Sequence, residues 1–462
     1  MNAPPLLALR GEVFVTSAEQ GGSSVLAGAR SAIPVPQPGT PERRAFERLC
    51  AAPTDTATLD ALAAGDGSFP LARWLLWIKL AIARGLVEFR LMAADGSPLA
   101  VFIPVHADAP DLARTPQEPW ARVRLSRFAH LARQGDALVL ESPAATMRVE
   151  LSAGAGATVL AFTHGAVAHG DVEDDGHLVA GLFAAGLLVG VDEDDTASED
   201  RDPALAQWEP HDLQLHVRSR GGLGDQPRGG TFRFADVRPA PPALRHPTLP
   251  TGIPLPRPEL DRLVVDDMPL ARAMEERASR RDLGPLDLTR VGAFLFRTVR
   301  VRRGFPTDAG PRGYPRLDRP HAAAGGVSAL VTYVAVSACE GLDGGLYRYD
   351  PVGHRLQLVT PAGPLVTVLL EQARDASGGE TIPPVLVLLA ADFGRLSWKY
   401  EGIAYALLLK DVGVVYQSMQ LVATAMGLGS CPLGGGDSEA FARAAGTDPF
   451  EEASVGELML GS

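Results

Sequence analysis

The chain has 462 residues, 46% apolar and 21% charged, which excludes a disordered polypeptide and exceeds one ordinary core, so two to four domains are expected. A net charge of -12 without a basic stripe excludes non-specific nucleic-acid binding, which needs cations to displace phosphate counterions. Cys50, Cys339 and Cys431 are odd in number, far apart and outside any CxxC spacing; they signal neither a disulfide framework nor a metal site and fit a reducing, cytoplasmic setting.

Residues 1–55, rich in Gly, Ser and Pro, read as a partly ordered lead-in with a short strand at 11–16 and no signal peptide. Residues 56–155 form a first module. Thr56–Ala64 and 71–84 have helical spacing, the second with Trp74, Leu75, Ile78 and Ile82 on one face and Gly85 as its left-handed cap. Strands at 86–91 and 99–103 join across Asp95-Gly96, a hairpin signal. Two helices and a two-stranded wing are the layout of a winged helix. Its second helix offers only Arg73, Lys79 and Arg84 as cations, which favours a peptide-binding or structural role over DNA reading.

Further strands are expected within 123–140 and at 145–151. A second small module, 156–207, holds a helix at 178–185, a cap at Gly186 and a strand at 187–191. The acidic runs 171–175 and 192–202 beside it read as solvated loops, or as contacts for a basic peptide segment. Residues 208–258 connect, ending in a proline-dense arm from 238 that can build neither helix nor ladder; the main boundary is expected near it.

Residues 259–462 alternate helices at 270–281, 288–298, 364–376 and 439–445 with strands at 329–336, 346–350, 354–359, 385–390 and 454–460. The expected class is α+β, with antiparallel or mixed central strands wrapped by helices. The longest apolar run repeats every three or four residues through Ile403, Leu407, Leu408, Val412, Val415, Met419, Val422, Ala423 and Met426. It carries Lys410, Asp411 and Gln417, so it is no membrane span.

Lys399 and Tyr400 are expected where that helix begins. Gly427 and Gly429 end it, and Cys431-Pro432-Leu433-Gly434-Gly435-Gly436 reads as an irregular loop. The last histidine is His354, so acid–base work here falls to Lys399, Tyr400, Glu401 and Asp437. By themselves these residues also describe a core helix with a solvated lysine and a glycine turn. Arg277, Ser279, Arg280 and Arg281 offer the guanidinium forks and hydroxyl a phosphate monoester needs, and equally suit a helix C-terminus. The small residues of 319–326 admit a flat ring or form a plain loop. Gly413, between Asp411 and Gln417, costs roughly 1 kcal/mol against alanine and points to close packing.

From about Trp208 onward these clusters and their order resemble the flavin-dependent nitroreductase superfamily, in particular the SagB/ThcOx-type azoline dehydrogenases of thiazole/oxazole-modified peptide pathways. The matching positions are Arg277, Ser279 and Arg281; the run 319–326; Gly413 with Gln417; the Gly-Leu-Gly and Leu-Gly-Gly loops that follow; Trp398-Lys399-Tyr400-Glu401 with Tyr405; and Ser454-Val455-Gly456-Glu457. Trp208 to Asp212, His216 and Ser219-Arg220 are similar to the segment that precedes the catalytic domain in that subfamily.

The resemblance implies a nitroreductase-like domain with FMN at a homodimer interface. Arg277 and Ser279 would hold the phosphate and Arg281 the pyrimidine edge. Ala323, Gly325 and Gln417 would line the cofactor, and amides near Leu433, Gly434 and Gly435 would address N5. It further implies oxidation of thiazolines or oxazolines in a ribosomally made precursor peptide, with Lys399 as base, Tyr400 positioning or relaying the proton, hydride passing to N5 and oxygen reoxidising the flavin. A cyclodehydratase partner and winged-helix modules gripping a leader segment go with it. A nitroaromatic or enone reductase using NAD(P)H on the same fold, and a flavin-poor docking scaffold, are the alternatives.

Overall fold

The computed structural model describes residues 4–462 apart from 17–23, 29–30, 66, 115–119, 169–170, 172–176, 222–223, 225 and 249. The chain divides into two compact units, Met1–Gln226 and Pro227–Ser462. The division falls ahead of the proline-dense arm, which belongs to the second unit, while 208–226 belongs to the first.

In the first unit an antiparallel sheet runs in the order Leu6–Leu9, Val87–Met92, Pro98–Pro104, Met147–Leu151, Ala137–Glu141, His130–Gln134. Residues 1–55 are more than a lead-in: they supply the first strand and a helix, Pro41–Ala51. Thr40 caps that helix by accepting the Arg43 amide at 3.2 Å, and Pro41 pre-sets its first turn. Leu7, Phe46 and Leu49 share one core with Trp74, Ile78, Phe89 and Phe102. The expected helices appear at Thr56–Ala64 and Ser68–Ala83. On the second, Trp74, Ile78, Ala81 and Ile82 face inward and Leu75 faces out. The hairpin follows, with Gly96 at φ 83°.

Of the acidic run 171–175, residues 172–175 lie outside the described residues. Most acidic residues of the run 192–202 are exposed, as a solvated loop requires, but several also make internal contacts. Buried Glu199 accepts the Ser126 hydroxyl at 2.6 Å and the Arg127 amide at 2.7 Å, while Asp195 and Asp200 pair with Arg122 and Arg127.

The second unit is built on a seven-stranded antiparallel sheet, in the order Ile253–Pro254, Arg355–Pro361, Gly345–Asp350, Leu330–Val336, Val385–Asp392, Glu452–Gly461, Gly429–Pro432. All eight residues of Val385–Asp392 are buried because the strand is covered on both faces. Val385, Val387, Leu389 and Ala391 pack with the helices Leu288–Val299 and Ala404–Ala425. Leu386, Leu388 and Ala390 pack with Pro364–Ser377 and Ser438–Ala445. The unit is therefore helix, sheet, helix in three layers.

Two boundaries and one packing expectation come out differently. The helix at 270 ends at Glu276, because Ser279 bridges Ser430 and the Arg280 amide donates to the Ser430 carbonyl at 2.9 Å. Residues 429–432 are a sheet-edge strand rather than irregular loop. Gly413 is exposed on the outer face of its helix, with nothing within 4 Å of a Cβ placed there, so no packing within the chain requires it.

The arm is fastened by Glu452, which has 0% of its surface exposed. Its carboxylate accepts Arg245 Nε and His246 Nε2, both at 2.8 Å, and the Tyr333 hydroxyl at 2.9 Å. Burial works to raise its pKa, but the His246 and Tyr333 hydrogen bonds and the Arg245 charge outweigh burial and hold the carboxyl below its usual range. Glu452→Ala orphans these three donors and is expected to destabilise the second unit by roughly 3–5 kcal/mol, read as a lower urea midpoint at unchanged slope.

Candidate functional site

Lys399 and Tyr400 lie one element earlier than expected. Val385–Asp392 runs into a short helix, Phe393–Lys399, with Tyr400 as its extended cap. Gly402, at φ 69°, then turns the chain before Ala404–Ala425 begins. Lys399 thus closes a helix, where its charge meets the negative end of the helix dipole.

Three sets of contacts fix the short helix. Buried Arg395 donates from Nε to the Val327 carbonyl at 2.9 Å, and from its terminal nitrogens to the carbonyls of Pro315 at 3.1 Å and Pro241 at 3.3 Å. Burial pushes its pKa down to about 10, with Asp392 acting in the opposite sense. Trp398, fully buried, donates Nε1 to the Arg238 carbonyl at 3.0 Å. Finally, Gly229 and Glu401 exchange both backbone hydrogen bonds at 3.0 Å, and the Phe232 amide donates to the Lys399 carbonyl at 3.1 Å. Thr231 Oγ1 donates to Glu401 Oε2 at 3.0 Å.

The Lys399 amine hydrogen-bonds the Tyr314 hydroxyl and lies 4.3 Å from the Tyr314 ring centre, 4.9 Å from Tyr400 and 5.9 Å from Phe232. Gly325, at φ 57°, completes this cluster: a Cβ there would overlap both the Lys399 amine and the Tyr400 hydroxyl. The turn carrying Ala323 and Gly325 is held by buried Asp411, whose two carboxylate oxygens accept the Ala324 amide at 2.9 and 3.1 Å. Burial raises the Asp411 pKa and that amide bond lowers it, burial prevailing.

The remaining expected residues lie elsewhere. Arg277, Ser279 and Arg281 follow one another along the sheet edge beside Ser430; Arg281 Nε donates to the Ser377 carbonyl at 2.8 Å. Among the described residues Arg277 makes no ion pair, so its fork and the exposed Ser279 hydroxyl suit a phosphate. The Leu433 amide is committed to the Glu457 carbonyl at 2.9 Å, which corrects its assignment as a cofactor donor. The amides of Gly434 and Gly435, among the described residues, donate to no backbone carbonyl and remain available. Gln417 is exposed on the outer face of its helix and joins neither cluster.

Strand register separates the two clusters. Ser279 is level with Ser430, which pairs Leu460 and through it Val385; Asp392, from which the helix bearing Lys399 starts, is at the other end of that strand, seven residues on or roughly 23 Å at strand rise.

Tyr314 and Phe232 escaped the sequence reading because both lie in Gly-, Pro- and Arg-rich stretches without helical or strand periodicity. One signal for Lys399 was present: the chain has 3 lysines among its 43 cationic residues. Among the described residues no group of three or more His, Cys, Asp or Glu is placed to hold a metal, and no helix is long and apolar enough to cross a membrane.

Comparison with known proteins gives two family matches. Residues 322–462 match the nitroreductase family, and residues 123–225 match the cyanobactin oxidase ThcOx. The first takes in the Gly325 turn, the Lys399-Tyr400 pair and the glycine loop, and gives the second unit a nitroreductase-like fold. The Arg277–Arg281 edge precedes it. MJ1384 of Methanocaldococcus jannaschii, named as a nitroreductase, is 26% identical over 183 residues, 38% of this chain and 81% of that protein. Among solved structures, a Ralstonia eutropha protein assigned to the nitroreductases is 23% identical, covers 48% of this chain and 96% of its own, with TM-score 0.36. The Escherichia coli microcin synthetase McbBCD complex, solved with truncated pro-MccB17 bound, matches at 17% identity over 55% of this chain and 94% of that chain, with TM-score 0.33.

Two outcomes follow from the Gly325 turn and its neighbour His321. Gly325→Ala is expected to cost roughly 1–2 kcal/mol in urea unfolding, from its positive φ, and to displace the Lys399 amine. His321 is buried, and burial pushes its pKa from 6.5 to about 4, the Ala322 carbonyl opposing and Arg319 reinforcing. The unfolded chain therefore binds this proton first as pH falls. Stability should decline between pH 6.5 and 4 by up to roughly 3 kcal/mol, and His321→Gln should flatten that decline in urea titrations.

Proposed function

We propose that this chain, with a cyanobactin-oxidase region at 123–225 and a nitroreductase domain at 322–462, is an FMN-dependent azoline dehydrogenase that oxidises thiazolines or oxazolines in a ribosomally made peptide. The observation that carries this reading is the convergence of Lys399 and Tyr400 on Gly325. An amine and a phenol meet over a turn whose missing side chain is what lets both atoms come this close to the backbone and to each other.

FMN is the cofactor that the nitroreductase match supports; when bound, it accepts the hydride and passes electrons to oxygen. Arg277 and Ser279 would hold its phosphate, Arg281 its pyrimidine edge, and the amides of Gly434 and Gly435 its ring. The Lys399 amine takes the acidic Cα proton of the azoline. Tyr400, whose hydroxyl makes no hydrogen bond among the described residues, is open to the substrate and orients it or relays the proton. Net loss of one proton and one hydride converts the ring to the aromatic azole.

The two clusters attach to opposite ends of the strand Val385–Asp392, which spans roughly 23 Å, and this supports a site completed by a second copy. An apolar face suited to that copy is exposed at Val264, Val265, Leu270 and Met274, and at Tyr405, Leu409 and Val414 of the long helix. The first unit, which contains the cyanobactin-oxidase match, would grip the precursor's leader segment, and a cyclodehydratase would supply the azoline. The spaced, free cysteines favour a reducing cytoplasm.

Anaerobic mixing of the FMN-loaded protein with an azoline peptide should bleach the flavin. Lys399→Ala should slow that bleaching by about 100- to 10,000-fold without changing FMN binding. Bleaching by NAD(P)H but not by the peptide would instead favour the small-molecule reductase.

A further inference from the structure

We infer that Tyr314 is a positioning residue for the Lys399 amine: it fixes the nitrogen by accepting one of its hydrogens and leaves the nitrogen lone pair for the substrate. The inference rests on the assignment of Lys399 as the base and adds a residue that no family match singles out; Tyr314 precedes the nitroreductase match altogether.

The argument is a count of hydrogens. A phenol carries one hydrogen and can accept through its oxygen. Tyr314 donates that hydrogen to the Gly325 carbonyl at 2.8 Å. Toward Lys399 the same oxygen can therefore only accept, and the amine must be the donor. A partner that donated to the nitrogen would occupy the electron pair a base needs; Tyr314 cannot. Its ring face, 4.3 Å from the nitrogen, adds a non-bonding contact that also leaves the lone pair open.

Nothing else among the described residues neutralises the amine. Lys399 forms no ion pair, and the adjacent carboxylate, Glu401, is turned to the Thr231 hydroxyl at 3.0 Å and Arg233 at 3.6 Å. Tyr400 offers its ring at 4.9 Å but no hydrogen bond. The two tyrosines thus divide the work: the Tyr314 hydroxyl is spent on holding the base, and the Tyr400 hydroxyl stays open. Tyr314 is itself held, because the carbonyl of the next residue, Pro315, accepts from Arg395 at 3.1 Å.

The test exploits the scarcity of lysine. Acylation of the whole folded chain with an amine-reactive succinimidyl acetate, followed by mass spectrometry, reads Lys399 against Lys79 and Lys410 as internal references. Tyr314→Phe keeps the ring and removes only the hydroxyl. It should raise Lys399 acylation about threefold or more, leave the two references unchanged, and lower kcat for azoline oxidation about tenfold with KM little changed. Tyr314→Ala should lower kcat at least as far, since the ring without its hydroxyl does not rescue.

Unchanged or slower Lys399 acylation in Tyr314→Phe overturns the inference, as does wild-type kcat in that variant. If the acylation shift appears but the wild-type protein oxidises no azoline peptide, the positioning of Lys399 by Tyr314 stands and the azoline reading falls.

Discussion

A single buried guanidinium holds the candidate site together. Arg395 projects from the short helix after the central strand and gathers the carbonyls of Val327, Pro315 and Pro241, three segments remote in sequence. Val327 follows the Gly325 turn, Pro315 follows Tyr314, and Pro241 belongs to the proline-dense arm. Pro241 and Pro315 have no amide of their own with which to build regular structure. The arginine is 4% exposed, and its pKa is lowered to about 10, yet it stays charged at neutral pH. Burying a charge with carbonyls in place of a carboxylate is costly, and the return is geometry. Lys399 lies one helical turn along from Arg395, so fixing the one places the other.

The central sheet supplies the rigidity that this arrangement requires. The strand Val385–Asp392 is packed on both faces by alternating side chains, so its last residue cannot shift without disturbing two helical layers. Asp392 hands that constraint directly to the short helix. The Glu452 carboxylate, paired with Arg245 and His246, ties the arm to the adjacent strand. The strand opposite Asp392 in the ladder begins at this same Glu452, so arm, sheet and short helix share one corner.

Much of this was legible in the sequence where local pattern and tertiary demand agree. The seven-residue apolar run 385–391, the helix Thr56–Ala64 and the Asp95-Gly96 hairpin follow from periodicity and turn chemistry alone. The Lys399-Tyr400 pair and the small-residue turn were legible as a motif, though not the helix to which Lys399 belongs, because that helix is only seven residues long and shows too little periodicity to be told from the start of the long one. The Pro41–Ala51 helix was missed because five of its eleven residues are charged and, of its large apolar side chains, only Phe46 and Leu49 report its buried face. Tyr314 and Phe232 were illegible for a different reason. They reach Lys399 from 85 and 167 positions away, a long-range contact that no local spacing encodes. Phe232 also sits at a positive φ, 55°, a conformation for which its residue type gives no signal.

The choice of lysine at position 399 is itself a chemical statement. This chain uses arginine for nearly every cation, including those buried against carbonyls or stacked on rings, such as Arg395, Arg238 over Phe234 and Arg300 over Phe296. The aromatic surroundings of residue 399 would suit an arginine at least as well, since guanidinium planes stack on rings and are weakly hydrated. A guanidinium, however, does not give up its proton within the range of protein pH and so cannot act as a base. The proposed role of Lys399 as base accounts for a compact amine, rather than a guanidinium, among Tyr314, Tyr400 and Phe232.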